Sequence, residues 1–432
     1  MGHMLQKETY QRLQARLNRM PVGAPDSETL YQILKMLYTE EEAAVAAQMP
    51  QKPVKIEVLE RITGKKRDEL AGLLDSMANK GVVLDFNLAG ASHYTLAPTV
   101  VGFFEFTMMR VRHDIDQKEM AKLLHEYMED SDAFAKEVFQ EETQIGRVLV
   151  QEETIAEVDY AEVLDYERAT HLIEKSAKRA VSLCFCRHKN EHLGRACKNP
   201  QEVCLSLNIG SRYIIERGFG REIEKQEALD ILQQSKENGL VQIADNIQNR
   251  ISYICNCCGC CCDQLQALNI FGLSNPVVTS NFIASVSETN CTGCLKCVKR
   301  CPVNAIGVAF RSDGKRTKIA EVDESICLGC GVCPAACKFS AITMEKRTKR
   351  VITPKNTMER VITMAIERGR LQHLLFDDPT KYSHQLFGKA LGVLLNLPPA
   401  KKLLAKEQIK SRFVEAMMGG MNLTSLKKFV GI

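Results

Sequence analysis

The 432-residue chain has no tryptophan, no marked excess of either charge and no long apolar run. Its longest apolar stretch, around Leu386 to Leu397, contains Lys389. That is well short of the ~20 residues a membrane span needs. The formal net charge of +4 gives no support to a strongly electrostatic nucleic-acid binder. With 45% hydrophobic and 25% charged residues, most of the chain is able to bury a core, and disorder is not expected to dominate. The opening Met-Gly-His-Met reads as a cloning remnant, and the charged, amphipathic stretch after it is no signal peptide. Cysteine is missing from residues 1–180 and 338–432.

All 18 cysteines therefore crowd into residues 184–204, 255–262 and 291–337. Disulfide frameworks spread their crosslinks over a fold, whereas metal sites concentrate them. Adjacent cysteines such as Cys257 and Cys258, or Cys260, Cys261 and Cys262, resist pairing with each other because disulfide geometry forbids it. Ligation is the better reading, and a reducing, oxygen-poor cytoplasm is the expected location.

The third group carries the strongest motif. Cys291-x2-Cys294-x2-Cys297-x3-Cys301-Pro302 is repeated 36 residues later as Cys327-x2-Cys330-x2-Cys333-x3-Cys337. Two-residue gaps let a tight loop offer three thiolates to one cubane, while the fourth cysteine points to the other cluster. Cys291, Cys294, Cys297 and Cys337 are thus assigned to one 4Fe-4S cluster, and Cys327, Cys330, Cys333 and Cys301 to a second. A zinc site would instead show paired C-x2-C halves. Residues 285–345 resemble the two-cluster bacterial-type ferredoxins, with two departures: Lys338 follows Cys337 where proline is usual, and Arg311 to Lys318 form an extra polar excursion, expected as a longer hairpin. The resemblance implies single-electron transfer.

Ten cysteines remain. Cys184-x-Cys186-x10-Cys197-x6-Cys204 suits a third cluster, with Cys184 and Cys186 expected on one face of a strand. Zinc or unligated core thiols are the alternatives. Arg187 is placed to hydrogen-bond sulfur, and the i, i+4 pair His188 and His192 is expected to be solvent-exposed. Cys255-x-Cys257-Cys258-x-Cys260-Cys261-Cys262 is denser than one cubane needs and precedes a helix from Asp263 to Phe271, whose N-terminus favours thiolates. Cys255, Cys257, Cys258, Cys260, Cys261 and Cys262 are all candidate ligands. If the two C-x-C segments pair, one site would draw on both. One or two clusters beyond the ferredoxin pair are expected.

Helical periodicity marks residues 5–20, 27–49, 55–62 and 67–80, followed by a hairpin at 82–96 around Asn87–Ser92. Residues 26–98 resemble a winged helix. A DNA-reading role is disfavoured, because residues 28–100 hold eight Lys/Arg against ten Asp/Glu. The stretch 101–180 is expected to be mainly helical, with a helix over 166–180. Two more helices are expected in 212–240, and helices again from 358 onward. The arrangement from 26 to 345 is similar to a family of 4Fe-4S dicluster proteins of anaerobic bacteria and archaea, on Cys184-Phe185-Cys186-Arg187, Ile254 to Cys262 and the two ferredoxin motifs.

The expected fold class is α+β: a winged-helix-like domain (1–100), a helical, cysteine-rich metal-binding domain (101–283), a ferredoxin domain (284–347) and a helical tail (348–432). The expected function is one-electron transfer through several 4Fe-4S clusters to or from a partner oxidoreductase. The alternatives are a reductase with an atypical cluster at 255–262 as its active site, and a redox-sensing winged-helix regulator. The basic, apolar tail beyond residue 381 is read as a helical hairpin on the protein's own core, or as a partner or peripheral membrane face.

Overall fold

The computed structural model describes residues 2–88, 90–160, 163–273, 275–311, 318–378, 380–397 and 413–414. Helix and sheet are mixed, as expected. The chain divides into two compact units that cut across the boundaries expected from sequence. The first comprises residues 1–143, 216–219 and 355–432, and the second 144–215 and 220–354. Among the described residues no helix is long and apolar enough to cross a membrane.

In the first unit, the helix Glu28–Leu37 is capped by Ser27, whose Oγ accepts from the Leu30 amide, and buries Leu30, Ile33, Leu34 and Leu37. The helix expected over 27–49 breaks at Thr39, which starts a new helix, Glu40–Ala46, with a capping box to Glu42. Helices Ile56–Thr63 and Arg67–Lys80 follow; the second ends on left-handed Gly81. Strands β1 (Val54–Lys55), β2 (Val83–Leu88) and β3 (Ala91–Leu96) form a small antiparallel sheet in the order β1-β3-β2. The chain's later residues return to this unit: Arg16 pairs with Asp377 at 2.9 Å, and Thr143 Oγ1 donates to Glu367 Oε1 at 2.7 Å. Helices Thr357–Glu367, Leu371–Leu375 and Tyr382–Asn396 make up the described part of the tail. Pro379, Pro398, Pro399 and the basic positions Lys401 to Arg412, Lys427 and Lys428 lie outside the described residues.

The second unit holds every cysteine. Its frame is a six-stranded antiparallel sheet of β4 (Gly146–Leu149), β5 (Arg179–Leu183), β6 (Glu202–Leu207), β7 (Arg221–Glu222), β8 (Val241–Asp245) and β9 (Tyr253–Cys257), in the order β4-β8-β9-β6-β5-β7. Strand alternation divides its side chains between two cores. Leu149, Val181, Leu205, Ala244 and Ile254 pack with Ile173 and Leu232, from helices Ala169–Lys175 and Lys225–Glu237. Val148, Val241, Ile243 and Cys257 pack instead with the cysteine-rich segments. The expected helix over 166–180 is thus confined to 169–175, because Arg179–Leu183 joins the sheet.

Residues 282–346 add two antiparallel pairs: β10 (Phe282–Val286) with β13 (Ile342–Lys346), and β11 (Ile306–Phe310) with β12 (Lys318–Val322). The β11–β12 pairing flanks the extra polar excursion; residues 312–317 themselves lie outside the described residues.

Candidate metal centre

The two ferredoxin motifs fold alike. Each runs through a left-handed turn, at Gly293 and Leu295 in the first and at Gly329 and Gly331 in the second, into a five-residue helix. These glycines are needed for close approach as well: a Cβ on Gly293 would stand 2.2 Å from the Lys318 carbonyl oxygen, and one on Gly329 would stand 2.1 Å from that of Phe282. The sulfur of Cys301 accepts from the Ala305 amide at 3.2 Å, and that of Cys337 from the Ala341 amide at 3.4 Å, so the same turn follows each fourth cysteine. Cys301 lies among the second motif's thiols: it feels the charge of Cys327, and Cys330 and Cys333 feel its own. Burial, reinforced by these neighbours, pushes Cys330 up to about 12 and raises Cys333. Four thiols so placed fit an iron–sulfur cluster, whose positive irons favour the thiolates that burial disfavours. Cys294 is exposed, while Cys327, Cys330 and Cys333 are buried.

The other ten cysteines are distributed differently from their order in the chain. Cys184, Cys186, Cys204, Cys255, Cys257 and Cys262 form one chamber: Cys184 lies against Cys186, Cys186 against Cys262, Cys262 against Cys257, and Cys257 against Cys255, which meets Cys204. Cys197 stands apart with Cys258, Cys260 and Cys261. The grouping of Cys184, Cys186, Cys197 and Cys204 as one set, and of 255–262 as another, is therefore corrected. The reason is the sheet. β6 lies between β5 and β9, so Cys204 and Cys255 become neighbours, and the alternation of β9 keeps Cys255 and Cys257 on one face. The two C-x-C segments do not pair directly. Nor is Cys184–Cys186 a strand: β5 ends at Leu183, and Cys184 is the N-cap of the helix Phe185–His192. Cys262 is likewise the N-cap of the expected helix Asp263–Phe271.

Charge within the chamber follows these contacts. Cys186 and Cys257, then the first-turn amides of Leu265 and Gln264, hold Cys262 well below the ordinary thiol range against the effect of burial. Cys204 and Cys257 do the same for Cys255, and Cys186 lowers Cys184. Contact with neighbouring thiols, then burial, raises Cys186 and Cys257. Six thiols this close oppose one another's full ionisation, which ligation of a metal centre would relieve.

Arg187 adjoins both groups. It is fully buried, donating from Nη1 to the Pro200 carbonyl at 2.6 Å and from Nη2 to that of Asn256 at 2.5 Å. Burial opposes its charge, but Cys184 and Cys258 outweigh that and keep it protonated. In the four-thiol group, Cys261 and Arg187 bring Cys258 down to about 5 despite burial, while burial and Cys258 push Cys260 up to about 12.

The sequence singles out Arg187 and His188 after Cys186, but not the burial of the whole run they begin. Arg187, His188, Lys189 and Asn190 are all buried. Lys189 pairs with Asp263 at 2.7 Å, tying the two cysteine-capped helices together, and Asn190 Nδ2 donates to the Cys186 carbonyl at 2.8 Å. His188 and His192 do share a helix face, with ring centroids 4.8 Å apart, but His188 is buried rather than exposed. A run of four polar residues reads as a solvated face; its only signal was its position directly after Cys186.

The six-cysteine loop adjoins the ferredoxin motifs. Gly259 faces the Pro302 carbonyl at a distance that leaves no room for a Cβ, and Asn269 Nδ2 donates to that carbonyl at 3.3 Å. Cys257, Cys262 and Leu265 share one apolar core with Cys291, Cys297, Cys327 and Cys333.

No curated protein and no solved structure matches the chain. Residues 290–341 match the family model of the 4Fe-4S dicluster domain, so this part of the chain is similar to domains that bind two such clusters.

Proposed function

We propose that the protein transfers single electrons between iron–sulfur clusters and a partner oxidoreductase. The observation that carries this reading is the shared core of the ferredoxin motifs and the six-thiol chamber, with Gly259 packed on Pro302 beside Cys301. Cys291, Cys294, Cys297 and Cys337 would hold one cluster, Cys327, Cys330, Cys333 and Cys301 a second, and the chamber of Cys184, Cys186, Cys204, Cys255, Cys257 and Cys262 a further one. Such clusters supply one-electron redox chemistry when bound. The chain's own residues hold the thiolates, keep water from the buried second motif, and place a guanidinium at Arg187.

The first motif is the proposed point of exchange with the partner. Cys294 is exposed there, Arg311 donates to the Cys291 carbonyl at 2.8 Å, and the preceding strand β11 exposes Val308 and Phe310. The winged-helix-like segment is proposed to dock protein rather than to read DNA. Three of its eight cations are held by acidic partners of the segment itself: Lys80 pairs with Glu42 at 2.7 Å, Lys65 with Glu41 at 2.6 Å and Arg67 with Glu57 at 3.1 Å. A reducing cytoplasm suits eighteen free thiols.

Six thiols where a cubane needs four favour a second reading, in which the chamber holds an atypical cluster that reacts with substrate. Anaerobic iron and sulfide quantitation with EPR of the reduced protein tests the first reading: more than eight irons per chain and interacting reduced signals are expected. Saturation at eight irons would remove the chamber cluster. Substrate turnover with reduced viologen would favour the second reading.

A further inference from the structure

We propose that Cys197, Cys258, Cys260 and Cys261 bind a single thiophilic divalent ion, zinc or ferrous iron, and not a cluster. The sulfur spacing carries the argument. All four sulfurs lie within 4.8 Å of one another; Cys197 and Cys258 are 3.7 Å apart, and Cys260 and Cys261 are 3.8 Å apart. These distances are far too long for disulfides, whose sulfurs stand about 2.05 Å apart. With metal–sulfur bonds of about 2.3 Å, the ligands of one tetrahedral ion stand about 3.8 Å from each other. In a cubane each thiolate sits on a different iron, which spreads the four sulfurs to roughly 6 Å. The observed spacing is that of one ion.

The surroundings suit a tetrathiolate. Four thiolates around a divalent ion leave two negative charges, and the buried Arg187 guanidinium lies against Cys258. Asn199 Nδ2 donates to the Cys197 sulfur at 3.3 Å. Three of the ligands come from one tight turn, Cys258-Gly259-Cys260-Cys261, and the fourth from the loop before β6. Leu240 packs against Cys258 and Cys261, leaving Cys260 as the exposed corner. The ion would thus clip the loop before β6 to the turn after β9, next to the six-thiol chamber but separate from it. The assignment does not depend on electron transfer.

The test uses the full chain, purified anaerobically, with the variants Cys258→Ser and Cys260→Ser. Iron, zinc and acid-labile sulfide are measured together, and cobalt(II) replaces the ion as a spectroscopic probe. In clusters of the 4Fe-4S type iron and sulfide are equal, so the wild type should carry one metal ion beyond its sulfide count. Both variants should lose that ion and the tetrahedral cobalt–thiolate spectrum while sulfide and the reduced EPR signals stay unchanged. Cys260 is exposed, so its variant carries the test should Cys258→Ser fail to fold. Loss of iron and sulfide together in the Cys260 variant would overturn the assignment, as would retention of the ion or a wild type with no metal beyond its sulfide.

Discussion

Gly259 and Pro302 meet backbone to backbone: a Cβ added to Gly259 would stand 2.2 Å from the Pro302 carbonyl oxygen. Neither side of this contact is a flexible side-chain end, so relief requires the cysteine loop to move away from the ferredoxin motif. Gly259→Ala should cost about 1–3 kcal/mol of stability, read by anaerobic urea unfolding followed through cluster absorbance. Gly307→Ala, at a position where a Cβ meets nothing within 4 Å, is the control and should change stability by less than about 0.5 kcal/mol.

Arg187→Met should destabilise the second unit by about 2–4 kcal/mol, since it strands the Pro200 and Asn256 carbonyls and removes the cation facing Cys184 and Cys258. Arg187→Lys restores the charge but not the two-pronged geometry, and should recover only part of this. Redox titration should show a lower cluster potential in the methionine variant and an intermediate one in the lysine variant. Identical potentials in all three would confine Arg187 to a structural role.

Cys294→Ala should remove about four irons and an equal amount of sulfide while leaving the six-thiol chamber loaded. Quantitation against the wild type checks this. Emptying of both sites together would instead mean that the shared core folds only when every cluster is present.

In the first unit, His373 is pushed down to about 4 by burial, then by the charges of Arg19, Arg16 and Arg370. An unfolded histidine keeps its ordinary value near 6.5, so between these two values the unfolded chain binds the extra proton. Stability from this residue is therefore full above about pH 6.5 and lost as pH falls toward about 4. His373→Gln should flatten this part of the acid-unfolding profile of the full chain. An unchanged slope would show that other groups dominate it.

The ferredoxin motifs were legible because all their ligands lie in two short runs whose spacing dictates the turns. Helix Arg67–Lys80 was legible in the same way, from its apolar stripe and the glycine that ends it. The partition of the other ten cysteines was not legible. Cys197 and Cys258 are 61 residues apart, and only the placement of β6 between β5 and β9 decides which thiols meet. Strands β4 and β8 carry no such signal because every residue in them is buried, which erases the alternation that marks a half-exposed strand. The helix after Cys184 was hidden by its polar residues, which elsewhere would face water.

The first compact unit is assembled from both sides of the cysteine-bearing one: Arg16 needs Asp377, and Thr143 needs Glu367. On the ribosome, the residues through Pro354 emerge before the partners Glu367 and Asp377 emerge. All eighteen thiols are therefore available for metal delivery while the first unit is still incomplete. Synthesis alone would thus let the cysteine-bearing unit take up metal before the helical unit closes.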